Sequence, residues 1–105
     1  MSKSDIRRID RQVEQTARKL EAVREREMWP LTRRELSSVM AGLAGGVYSV
    51  SKGRTPSRAE RRLEAAWGAA EIRLTTEMTA LQMERQRLVT EAAKAKKAGR
   101  QSIWW

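Results

Sequence analysis

The chain has 105 residues, with 22 Lys plus Arg against 13 Asp plus Glu and no histidine or cysteine, so its formal charge is +9. A chain this short buries only about two-thirds of the surface its unfolded form exposes, which leaves little room for a catalytic cavity. Without cysteine and histidine there are no disulfide staples, no thiolate zinc site and no cysteine nucleophile, and the commonest general base and metal ligand are missing too. No motif frames a serine, threonine or lysine nucleophile. The expectation is a protein that is not an enzyme and takes no cofactor.

The opening MSKSDIRRIDRQ lacks the apolar core of a secretory signal. The least polar stretch, residues 39–50, is shorter than the roughly 18 apolar residues of a membrane span and holds three glycines. A soluble cytoplasmic protein, or one associated with a nucleoid or virion, is expected, with no membrane partner. The charge is uneven: residues 1–27 carry eight basic and six acidic side chains, residues 28–62 seven and two, residues 63–105 seven and five. Over half of the excess therefore lies in the middle third, and anionic partners come first.

The first predicted element is a helix over residues 5–28. Ile6, Ile9, Val13, Leu20 and Val23 follow the spacing of a narrow helix seam, with Thr16 in its gap. Ser4 is placed as its N-cap and Asp5 in its first turn, and Glu14 and Arg18 stand at i,i+4. Trp29-Pro30 ends it, because proline lacks the amide proton and forces its predecessor toward extended backbone. Trp29 is expected to wedge into that corner.

A second helix is predicted over residues 33–44. Thr32 and Glu35 match a capping box, Leu36, Val39, Met40 and Leu43 form an apolar stripe, and Gly45-Gly46 stops it. Residues 45–55 then read as a loop. A third helix is predicted over residues 56–98, started by Thr55-Pro56 and carrying Leu63, Trp67, Ala70, Leu74, Met78, Leu81, Leu88, Ala92 and Ala95 at seam spacing. Gly68, inside AAWGAA, is expected to let the second helix approach closely. Glu64, Glu71, Glu77, Glu84 and Glu91 read as a solvated stripe, since carboxylates so spaced lack the histidine help a metal site between helices uses. A tail, residues 99–105, follows Gly99. The architecture expected is an all-α single domain over residues 1–105: an elongated antiparallel helical hairpin of three helices, its first arm broken at Trp29-Pro30.

Two segments carry functional expectation. SKGRTPSRAERR, residues 51–62, gathers Lys52, Arg54, Arg58, Arg61 and Arg62 around one acid, Glu60, where a loop enters a helix N-terminus. Unpaired amides and the helix dipole attract phosphate there, and arginine forks fit it; Arg33 and Arg34 are expected on the same side. The bland alternative is a solvated tip with no ligand. Such contacts position a protein without reading sequence. A helix-turn-helix is disfavoured, because its turn spans only three or four residues.

The second segment is the closing AAKAKKAGRQSIWW, where Lys94, Lys96, Lys97 and Arg100 add further phosphate contacts. Ile103, Trp104 and Trp105 have three competing uses. They stack on unpaired bases, anchor in a partner pocket, or fold back on the hairpin; the partner anchor is favoured. The function expected is that of a small noncatalytic helical subunit of a larger nucleoprotein assembly. It binds DNA or RNA through the backbone, docks to protein partners and is able to self-associate. An RNA-guided effector complex and plasmid or phage DNA processing are the settings considered. A phage-type structural or scaffolding protein, or an inhibitor of a nucleic-acid enzyme, is the alternative.

Overall fold

A computed structural model describes residues 3–103, with side chains as far as Gly99. The fold is all-α: α1 spans Lys3–Arg24, α2 spans Arg33–Ser51 and α3 spans Ser57–Ile103, and no strand occurs among the described residues. The chain divides into two compact units. One comprises residues up to Ala17 together with those from Thr76 on; the other runs from Arg18 to Thr75. None of the helices described is long and apolar enough to cross a membrane.

The Arg18–Thr75 unit holds the larger core. Val23, Val39, Ala66, Trp67, Ala70 and Leu74 are buried together, with Leu20, Leu31 and Leu63 packed against them. The end of α1 runs antiparallel to α3, since Arg24 pairs with Glu71 and Arg26 with Glu64. The spacing of Trp67, Ala70 and Leu74 anticipates this core correctly. In the other unit Ile9 and Thr16 are buried while Ile6, Val13, Met78, Leu81 and Leu88 are half-buried. An ion pair joins Arg85 of α3 to Asp10 of α1. Thr16 thus occupies the seam slot that lacks an apolar residue.

Both of the first two helices end differently from expectation, and for the same reason. α1 stops at Arg24, not at Met28, and begins at Lys3, so that Ser4 lies inside its first turn. Arg26 takes a left-handed conformation, φ 64°. Its N–H donates to Val23 O at 3.0 Å and the N–H of Glu27 donates to Ala22 O at 2.8 Å, the paired bonds of a Schellman motif. A non-glycine residue is uncommon there; Arg26 is held by Glu64, 2.9 Å from its guanidinium, and lies 5.4 Å over the Trp67 ring.

α2 repeats the motif with a glycine. Gly53, φ 69°, donates to Val50 O at 3.0 Å, and Arg54 donates to Ser49 O at 2.8 Å. The stop expected at Gly45-Gly46 is therefore seven residues further on, and residues 45–51, expected as loop, are helical. Glycine inside a helix costs about 1 kcal/mol relative to alanine, and packing on α3 offsets it. A Cβ on Gly45 or Gly46 would meet Ala59 Cβ at 3.7 or 3.8 Å, and one on Gly42 would meet Leu63 Cδ1 at 3.3 Å.

The close approach expected at Gly68 therefore belongs to Gly42, while a Cβ on Gly68 would meet nothing within 4 Å. The two alanine substitutions separate these roles. Gly68→Ala stabilises by about 0.5–1 kcal/mol through helix propensity alone. Gly42→Ala forces Leu63 to shift and is net destabilising by about 1 kcal/mol. Urea midpoints moving in opposite directions check the assignment.

At the corner between α1 and α2 Pro30 is buried, but Trp29 is 61% exposed, with its indole N–H donating to Glu27 at 3.0 Å. Trp29 is thus no wedge: the turn buries the proline and half-buries Leu31, and the ring swings outward. The capping box stands as expected, with Glu35 N–H donating to Thr32 Oγ1 and Thr32 N–H to Glu35 Oε1. The same Glu35 carboxylate accepts two bonds from Arg73 of α3, at 2.7 and 3.0 Å, and Arg73 also donates to Pro30 O.

The Arg73 guanidinium holds the Glu35 carboxyl below its ordinary range, helped by Thr32 and opposed by burial. Because the folded pKa is depressed, the stability this pair contributes is complete above about pH 4.5 and is lost as pH falls through the folded value. Glu35→Gln keeps the cap and removes the charge. It is expected to lower stability at neutral pH and to flatten the acid limb, as read by thermal melts between pH 3 and 7.

α3 continues through Gly99, where a tail was expected, and reaches Ile103. Backbone amides remain satisfied through the glycine, and the surrounding alanines and lysines favour helix. The glutamates read as a solvated stripe are largely paired: Glu71 with Arg24, Glu64 with Arg26, and Glu84 and Glu91 with Arg87. Among the described residues no group of acids is arranged to hold a metal ion.

Candidate nucleic-acid interface

The basic cluster of residues 51–62 sits on the turn from α2 to α3. The Gly53 motif satisfies the last carbonyls of α2 and turns Lys52 and Arg54 outward, both exposed. α2 ends in a partial negative charge, and Lys52 at its C-cap is well placed, with its ammonium 5.7 Å over the Tyr48 ring. Gly53 thus serves to end α2.

The first turns of α3 are electrostatically wrong for an isolated protein. Arg58, Arg61 and Arg62 stand at i, i+3 and i+4, all exposed, with Arg62 one turn before buried Ala66 on the same ridge. They repel one another and lie at the positive end of the helix dipole. Glu60 is the single acid of that turn. Arg61 Nε donates to Ser57 O at 3.4 Å, yet none of Lys52, Arg54, Arg58, Arg61 and Arg62 has a carboxylate within ion-pair reach among the described residues.

Three other arginines of the same unit behave differently. Arg24, Arg26 and Arg73 each hold a glutamate. Five unpaired cations are therefore gathered at one end of α2 and α3, while Arg33 and Arg34, likewise without a carboxylate partner among the described residues, stand at the other end of α2.

Arg33 and Arg34 do not join the tip. They begin α2, and its 19 residues put them about 27 Å along the axis from Lys52. Their grouping with the tip rested on a helix ending at residue 44; the additional helical turns carry the tip away. Lys94, Lys96 and Lys97 are exposed on α3 within the other unit and have no carboxylate partner among the described residues. Arg7 and Arg11, which the sequence reading passed over, are exposed on α1 in that unit and likewise unpaired. Their i,i+4 spacing is the signal that was available, although Asp10 and Glu14 each stand three residues further on. The side chains of Arg100 and Ile103, and Trp104 and Trp105 altogether, lie outside the described residues.

Beside the tip, between α2 and α3, an open apolar cleft of about 510 Å³ is lined by Gly42, Leu43, Gly46, Val47, Val50 and Leu63, among others. Glu60 borders it, whereas Arg58, Arg61 and Arg62 do not. Sequence reading missed this cleft because the glycine pair was taken as a stop. No family model, curated protein or solved structure matches the chain.

Proposed function

We propose that this protein is a noncatalytic nucleic-acid-binding subunit whose turn from α2 to α3 grips the phosphate backbone. The observation that carries this reading is the set Lys52, Arg54, Arg58, Arg61 and Arg62, exposed and without acid partners, with three arginines at a positive helix end. Phosphate relieves the arginine repulsion and meets both the guanidinium forks and the dipole. Because such contacts reach no base edge, binding is insensitive to sequence.

Lys94, Lys96 and Lys97, with Arg7 and Arg11, supply a second basic surface in the other unit. Protein partners in a nucleoprotein assembly, with Ile103, Trp104 and Trp105 as anchor, belong to the same proposal. Fluorescence anisotropy with three duplexes of unrelated sequence tests it. Affinities equal within about threefold are expected; preference for one duplex by about 100-fold, which base readout would produce, contradicts it.

A further inference from the structure

From Leu36 to Ser51 α2 carries no charged residue, in a chain of which 33% is charged. Leu36, Met40, Leu43, Val47 and Val50 succeed one another at spacings of four, three, four and three residues, the period of a coiled-coil seam. All five are exposed, Val47 by 72% and Val50 by 62%. Only Val39 and Gly42, one step round the helix, are buried. A complete seam thus lies bare along α2, next to the open cleft against α3.

We propose that this seam is covered by the same seam of a second copy of the chain, antiparallel about a two-fold axis between Met40 and Leu43. Three features select that occupant. First, the seam is self-complementary: the antiparallel register sets Met40 opposite Leu43 and Leu36 opposite Val47 of the other copy, apolar against apolar along its length.

Second, the excess cations stay out of the way. Arg58, Arg61 and Arg62 occupy a face of α3 away from the cleft, and Arg34 and Lys52 fall on the side of α2 opposite the seam. Third, the area suffices. α2 is about 28 Å long, and a face two helices wide spans about 20 Å. Pairing therefore removes roughly 1,100 Å² in total, above the roughly 1,000 Å² that a specific interface needs. The product is a four-helix core of α2 and α3 from each copy.

Sedimentation equilibrium on the full chain, freed of nucleic acid, tests the pairing. A dimer is expected at micromolar concentration. Val47→Glu puts two carboxylates into the seam and raises the dissociation constant about 100-fold or more, with helix content by circular dichroism unchanged because Val47 is exposed within one copy.

A monomer at every concentration overturns the proposal, as does a dimer indifferent to Val47→Glu. The pairing uses none of the tip arginines, so its failure and failure of phosphate binding are separable.

Discussion

Replacing Arg54, Arg58, Arg61 and Arg62 together by glutamine is expected to lower affinity for duplex DNA about 100- to 1,000-fold at physiological salt, while thermal stability rises slightly. Each phosphate neutralised releases condensed counterions, so removing four contacts also reduces the slope of log affinity against log salt by about 3.6. Stability moves the other way because the variant loses repulsion among Arg58, Arg61 and Arg62 at a positive helix end. This opposition of signs separates a site built for an anion from cations that serve only solubility. Unchanged affinity, or a uniform loss of helix content, counts against the site.

The second large effect is structural. Trp67→Ala is expected to destabilise by about 3–5 kcal/mol, a large part of the 5–15 kcal/mol typical of a folded domain. Trp67 is 4% exposed and packs with Val23, Val39, Ala66, Ala70 and Leu74, and its ring also supports Arg26 in its left-handed conformation. Losing the indole opens a cavity where the end of α1, α2 and α3 meet, and frees the guanidinium that Glu64 shares. Trp29, 61% exposed, offers an internal control: Trp29→Ala costs little. Thermal melts of the two variants should differ by more than about 10 °C.

How far the sequence was legible depends on the kind of signal. Helical identity and the pairing face of α3 were readable because Trp67, Ala70 and Leu74 combine seam spacing with large buried area. The capping box of Thr32 and Glu35 was readable because it is local chemistry. What failed was the meaning of glycine. Gly45 and Gly46 look like a stop when taken alone, but they lie against Ala59 of a segment more than ten residues away, and tertiary packing overrides their propensity. The true stop is Gly53, whose left-handed backbone closes α2.

That one boundary governs the candidate site. With α2 ending at residue 44, Arg33 and Arg34 could be grouped with the tip, and Val47 and Val50 counted as loop residues. With α2 ending at Ser51, the tip separates from Arg33, and Val47 and Val50 complete an apolar seam. Gly68 and Trp29 misled for a related reason, since no local feature reveals which face of an element meets its neighbour. The composition of the tip, seven residues from Lys52 to Arg58 with no acid, was plain in the sequence; that none of its cations is spent on an internal carboxylate needed the structure.

The central claim is that unpaired cations at the α2 to α3 turn bind phosphate. Equilibrium binding of the full chain to duplex DNA across a salt series tests it most directly. The account predicts micromolar or tighter affinity persisting at physiological salt, with a log-log slope of about −3.6 or steeper, as four or more neutralised phosphates require. Affinity that vanishes at that salt, or a slope near zero, would contradict it.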